Sequence, residues 1–269
     1  MAIGVFDSGL GGLTVLQAFR DRLPEQAFVY FGDNANAPIG GRPAAEIHDI
    51  TRKGVQRLFD AGCDLVVLAC NTASAVALHD LQVDWLQGDR RVLGVFVPVI
   101  EELTSRDWGD NTPPTHTGLR NVALFATPAT VESGAFAREL KFRARDVEVV
   151  AEACVGLVDA IEAGDMVGAE ALVDAHVASL LERLPEPQSA VLGCTHYPLM
   201  EDRFRAALPN RTRLVSQPEI VADSLVDYLQ RHPRFAQAGD VVYLTSGNPA
   251  QTSRRAELFL GHPVPFTAA

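Results

Sequence analysis

Lysine is nearly missing from this chain of 269 residues, where only Lys53 and Lys141 occur among 23 basic residues. Lys53 falls inside a helical pattern and Lys141 in the charged run ARELKFRARD, so both belong to solvated faces. A pyridoxal phosphate enzyme needs a site lysine for its Schiff base, and that cofactor is therefore not expected. Cysteine is sparse as well. Cys63, Cys70, Cys154 and Cys194 form no CxxC pair, which favours reduced thiols over disulfides or a structural zinc site. No run of about 18 apolar residues occurs, and the start MAIGVFDSG has no basic region or cleavage site. Neither a membrane span nor a signal peptide is expected, and the default compartment is the cytoplasm. A formal net charge of -11 argues against nucleic acid or an anionic membrane as the main partner.

What is there begins with two stretches of one design. Leu65 to Ala75, LVVLACNTASA, is an apolar run that stops at Cys70 and passes into Asn71, Thr72 and Ser74. The run predicts a buried strand, and the polar cluster a turn capping a following helix. Ala190 to Pro198, AVLGCTHYP, repeats the plan with Cys194, Thr195 and His196. Each cysteine is thereby expected at the carboxyl end of a parallel strand, where ligand crevices form.

The rest of the chain alternates strands and helices. Ile3 to Phe6 predicts a strand, Asp7-Ser8-Gly9-Leu10-Gly11-Gly12 a glycine-rich turn, and Leu13 to Arg22 a helix. Such a turn can hold a carboxylate or phosphate, or its glycines can simply serve positive φ. It lacks G-x-G-x-x-G and a P-loop lysine, so a nucleotide is not favoured. Further strands are expected at Phe28 to Phe31, Val92 to Val97, Val122 to Phe125, Arg213 to Val215 and Val241 to Thr245. Helices are expected at Ala44 to Ala61, Thr72 to Trp85, up to about Phe142, Leu157 to Leu184, around Asp202 to Leu208, Ile220 to Leu229 and Thr252 to Leu260. The polar segment Ser105 to Arg120 predicts a long surface loop between two halves. GVFDSG is echoed by ALFATP and VVLACNT by AVLGCTH, so similar halves would set Cys70 and Cys194 on opposite walls of one cleft. The expected fold is α/β: two pseudo-symmetric βα domains with largely parallel sheets and the active site in the cleft between them.

A helix N-terminus lowers a thiol's pKa, and the thiolate is the reactive form. Three chemistries compete for such cysteines. Zinc could use Cys194 and His196 but needs two further ligands. A cysteine hydrolase could pair Cys194 with His196 as base. A two-base racemase uses both sulfurs, one removing a proton from a carbon and the other returning one to the opposite face. Only this last chemistry accounts for the duplicated motif. Asp7 would then attend Cys70, and His196 with Glu162 would attend Cys194. Taken singly, Asp7 is equally a helix cap, Glu162 a solvated helix residue and His196 a hydrogen-bonded turn residue.

FDSGLGGLTV, VVLACNTASA, LFATPATVES, AVLGCTHYP and YLTSGNP together resemble the glutamate racemase family, in the family's order and over nearly the whole chain. The resemblance implies two α/β domains, residues 1–98 with 212–269 and residues 99–211, and an active site between them. It implies Cys70 and Cys194 as acid/base pair, assisted by Asp7 on one side and by Glu162 and His196 on the other. Substrate contacts are implied for Asp7, Ser8, Ile39, Gly40, Asn71, Thr72, Thr195 and His196. The family needs no cofactor or metal, supplies D-glutamate for peptidoglycan and is commonly a homodimer. A related two-cysteine enzyme acting on aspartate or a similar acid, a cysteine amidohydrolase, and a catalytically silent binding protein are the alternatives.

One departure stands out: the family's Pro-Tyr-Gly is here Pro38-Ile39-Gly40, which takes a hydroxyl from the expected pocket wall. The loop from Ser105 to Arg120 is long for the family, and Glu152 competes with Glu162 for the place beside His196.

Overall fold

A computed structural model describes residues 1–269. The first four strands are β1 (Ile3–Asp7), β2 (Phe28–Gly32), β3 (Leu65–Leu68) and β4 (Arg91–Gly94). Then come β5 (Asn121–Ala126), β6 (Glu148–Ala153), β7 (Ser189–Gly193) and β8 (Arg213–Val215), and last β9 (Val241–Thr245) and β10 (Phe266–Ala268). They form two wholly parallel sheets, a six-stranded one in the order β10-β9-β2-β1-β3-β4 and a four-stranded one in the order β6-β5-β7-β8. β8 pairs with β7, so the second sheet runs on to Val215, past the boundary expected after residue 211.

Helices α1 (Leu13–Arg22), α2 (Ala44–Asp60), α3 (Asn71–Asp80) and α4 (Phe96–Thr104) alternate with the first strands. α5 (Pro128–Ser133), α6 (Ala135–Lys141), α7 (Leu157–Ala163), α8 (Met166–Arg183) and α9 (Glu201–Ala207) serve the second sheet. α10 (Pro218–Arg231), α11 (Pro249–Arg255) and α12 (Glu257–Leu260) complete the chain.

The central strands are unbroken apolar runs because helices cover both faces of a parallel sheet. Every residue of β1, β2, β3 and β7 is buried. On one face of the larger sheet Phe6, Phe31 and Leu68 pack with Ile47 and Leu58 of α2. The other face carries Val5, Phe28 and Tyr30 into a core shared with Leu124 and Val191 of the second sheet and with Val221 and Leu225 of α10. Each such side chain contributes roughly 1.5–3 kcal/mol on burial. This shared core fixes one sheet against the other, and with it the gap between their strand ends.

Several expected elements are corrected. The strand expected at Val92 to Val97 ends at Gly94, and Phe96 begins α4 with Pro98 in its first turn, where a missing N–H costs nothing. The helix expected to reach Trp85 gives way after Asp80 to a π-helical turn, Leu81–Trp85. The segment before Phe142 is two short helices parted at Gly134, whose φ is 61°. The closing helix is likewise split into α11 and α12. Two strands, β6 and β10, were not foreseen.

Candidate active site

In each sheet the chain leaves a middle strand toward opposite sides, at β1 in the larger and at β5 in the smaller, which opens a crevice beyond the carboxyl ends there. The two crevices face one another across one cavity of about 130 Å³, enough for a small acid. Ser8 and Cys70 line it from β1 and β3, Thr127 and Cys194 from β5 and β7.

Cys70 is the N-cap of α3, its sulfur 3.5 Å from the Ser8 hydroxyl. Asp7 lies fully buried at the end of β1, where its Oδ1 accepts from the Gly9 N–H at 2.9 Å. Burial pushes the Asp7 carboxyl up, partly offset by His196 and by the Gly9 and Gly12 amides. Cys70 departs from the lowered thiol expected at a helix start. Burial and the Asp7 charge outweigh the Ser8 hydroxyl and the Ala73 amide and push the thiol up to about 12. In this cavity Cys70 holds its proton.

Across the cavity, Cys194 Sγ lies 3.8 Å from His196 Nδ1, and His196 Nε2 lies 2.9 Å from Glu162 Oε1. Glu162 stands in the last turn of α7. Burial opposes charge on His196, but hydrogen bonds to Cys194 and Glu162 raise it to about 10, so the ring is an imidazolium at neutral pH. Burial alone would raise Glu162, yet His196 and Arg255 together hold it below the ordinary carboxylate range. The two walls therefore differ, one a neutral thiol over a buried carboxyl and the other a sulfur beside a charged ring.

Gly11 and Gly12 owe their place to close approach, since neither has positive φ. A Cβ on Gly11 would come within 2.5 Å of His196 Nδ1, and one on Gly12 within 2.6 Å of Asp7 Cβ. The anion cradled by this turn is thus the protein's own Asp7.

Ile39, Gly40, Asn71, Thr72 and Thr195 all line the cavity, as do Glu162 and His196, whereas Asp7 lies behind the wall. The Asn71 carboxamide is engaged with Gln217, donating to Oε1 at 2.9 Å and accepting from Nε2 at 2.7 Å. The Thr72 hydroxyl meets that of Thr127 at 2.9 Å, joining the two sheets' loops. Ile39 is buried in the apolar cluster around Phe6 and Phe31.

Glu152 does not reach His196. It binds His176 at 3.1 Å, Ser179 at 3.2 Å and Arg183, on the flank of α8. Sequence reasoning missed Thr127, Gln217, Arg255 and Cys154. Cys154 follows β6 as Cys70 follows β3 and also lines the cavity. Thr127 had a signal in the ALFATP echo; Gln217 and Arg255 had none.

Known proteins give the geometry its relatives. The profile of the Asp/Glu/Hydantoin racemase family matches residues 14–224. Glutamate racemase of Roseobacter denitrificans is 58% identical over 269 residues, covering 100% of both chains. Among solved structures, glutamate racemase isoform RacE1 of Bacillus anthracis superposes with a TM-score of 0.86 at 27% identity, covering 100% of this chain and 97% of that one. The Francisella tularensis glutamate racemase, solved in complex with D-glutamate, gives a TM-score of 0.85 at 25% identity, covering 100% and 96%. With its family profile, its full-length relatives and its two facing parallel sheets in agreement, this chain belongs to the Asp/Glu/Hydantoin racemase family.

Proposed function

We propose that this protein interconverts L-glutamate and D-glutamate without a cofactor, using Cys70 and Cys194 as the acid/base pair. The observation that carries the reading is one cavity with a strand-end thiol on each wall. Charge on Cys194 disfavours charge on Cys70, so the reacting pair is one thiolate and one thiol and not two thiolates. That is the composition a two-base reaction needs. The thiolate takes the proton from the α-carbon, leaving a carbanion delocalised into the α-carboxylate. The opposing thiol then gives its proton to the other face, and the two sulfurs have exchanged roles.

Asp7 attends Cys70 through space, and His196 with Glu162 attends Cys194 through the hydrogen-bond chain described above. Ser8, Thr72, Thr195 and the backbone at Ile39 and Gly40 bind the substrate's carboxylates and amino group, with Asn71 held in place by Gln217. Two units meet at the cavity, residues 1–98 with 212–269 and residues 99–211, the segment from 212 lending β8 to the second unit's sheet before it returns to the first. The enzyme works in the cytoplasm as a homodimer and supplies D-glutamate for peptidoglycan.

The test is circular dichroism of L-glutamate, D-glutamate and both aspartates with protein freed of metal and pyridoxal phosphate, alongside proton NMR in deuterium oxide. Racemisation of glutamate with exchange of its α-hydrogen is expected. Cys70→Ala and Cys194→Ala should each lower the rate by at least about 10²–10⁴-fold. Either variant turning over at the wild-type rate would end the two-base reading. Ammonia release from glutamine without α-exchange would favour a hydrolase.

A further inference from the structure

Arg255 makes no contact with the cavity, yet it ends in the hydrogen-bond chain that reaches Cys194. It lies on α11, between β9 and β10 of the larger sheet, whereas Glu162 belongs to α7 beside the smaller one. Its Nη2 donates to the Glu162 carbonyl at 2.9 Å and to Glu162 Oε2 at 3.0 Å. The other carboxylate oxygen, Oε1, faces His196 Nε2. A Cβ on Gly9 would lie 3.1 Å from the same Oε1, so the first turn leaves room for the carboxylate only because residue 9 has no side chain. From the same segment, Phe259 of α12 meets the His196 ring edge-to-face, with centroids 5.5 Å apart. The C-terminal helices thus reach across to the half of the acid/base pair that their own sheet does not carry.

We propose that Arg255 is a positioning residue: it fixes the Glu162 carboxylate on His196 and so sets the Cys194 side of the proton exchange, leaving the Cys70 side alone. The inference rests on the two-cysteine racemase reading. In such a reaction each sulfur has its own transition state, abstraction in one direction and return of the proton in the other. Weakening the Cys194 relay raises only one of the two barriers. With α-deuterated glutamate, the isotope effect should then rise for the enantiomer whose deuteron goes to Cys194. It should fall toward unity for the other, where Cys194 delivers a solvent proton. General loosening of the cleft would raise both barriers and leave the two isotope effects as they were.

The experiment compares full-length wild type, Arg255→Met, Arg255→Lys and, as a control on the same helix, Arg254→Met. Arg255→Met should lower kcat about 10- to 100-fold, the size expected when a hydrogen bond to a charged group is lost. KM should stay within about twofold because Arg255 does not line the cavity. Arg255→Lys should recover part of kcat, and Arg254→Met should match wild type. Diverging isotope effects in Arg255→Met support the proposal. An unchanged kcat, a loss seen in KM instead, or equal isotope effects at lowered kcat would overturn it while leaving the racemase reading intact. A wild type that racemises neither enantiomer overturns both.

Discussion

Asp7 and Thr195 close the strand ends of different sheets, and the Thr195 hydroxyl donates to Asp7 Oδ2 at 3.3 Å. Asp7 therefore stands where both thiol environments meet. Its charge raises the Cys70 thiol on one side, while His196 on the other side lowers Asp7 in turn. The buried Asp7 thus adds to the burial that keeps Cys70 protonated, while Glu162 and Cys194 keep the other wall's imidazole charged.

Asp7→Asn removes that charge and nearly conserves volume. Because the Asp7 charge is, after burial, the second cause of the raised Cys70 pKa, the variant's Cys70 should ionise at lower pH. Below the midpoint the rate of Cys70 alkylation by iodoacetamide follows the thiolate fraction, so across pH 7–10, followed peptide by peptide with mass spectrometry, the variant should react faster, its midpoint having moved down from about 12. Racemisation should slow, since the matched pair is lost. A Cys70 alkylation rate unchanged or lowered would contradict the electrostatic role given to Asp7.

Gly11→Ala tests the close approach of the first turn to the second sheet. The added methyl would press on His196 Nδ1 and the Thr195 hydroxyl, forcing the ring off Cys194 or the strand ends apart. Overpacking of this kind costs about 1–3 kcal/mol, read as a lower urea midpoint. The same variant should lose most of its kcat. Full activity with wild-type stability would mean that the turn yields freely.

Much of this arrangement was legible in the residues. Leu65 to Cys70 and Ala190 to Cys194 announced themselves because a strand buried on both faces must be an unbroken apolar run. The same criterion failed at β6, EVVAEA, where Glu148 and Glu152 interrupt the run. Glu152 survives there because His176, Ser179 and Arg183 from α8 satisfy it. Losing that strand hid Cys154 at its end. Val92 to Val97 failed for the opposite reason, since its apolar run crosses from a strand into a helix and gives no period to separate them. Arg255 was beyond reach, because its partner lies 93 positions away on another element and nothing in TSRRAEL marks one arginine over its neighbour.

Ile39 addresses the departure from the family's tyrosine. The loop lines the cavity, but the Ile39 side chain is only 1% exposed and packs in the cluster with Phe6, Phe31 and Ala129. Its neighbour Gly40 ties the loop to α5 through a 2.9 Å hydrogen bond from the Ala129 N–H. Ile39→Ala should cost about 2–5 kcal/mol in denaturant unfolding, as for any buried Ile cut to Ala. The preference for glutamate over aspartate, measured as a ratio of kcat/KM values, should stay as in wild type. A ratio shifted tenfold with little loss of stability would assign Ile39 to substrate recognition and not to the core.

Stability itself should fall on the alkaline side. His196 is raised in the folded chain from 6.5 to about 10, so the folded state binds a proton that the unfolded state has released over this range. Its contribution is complete below pH 6.5 and is lost as pH rises through about 10. The buried thiols add to the same slope, because Cys63 and Cys70, raised from 9.0 to about 12, ionise first in the unfolded chain. Glu162, lowered by His196 and Arg255 against its own burial, works at the other end, its contribution lost as pH falls below the ordinary carboxylate value. Urea midpoints measured from pH 6 to pH 10 should decline steadily, and His196→Gln should flatten the part of the slope below pH 9 while leaving the thiol part above it. A wild-type midpoint constant over that interval would show that His196 is not charged in the folded protein, and the hydrogen-bond chain from Cys194 to Arg255 would then carry no imidazolium.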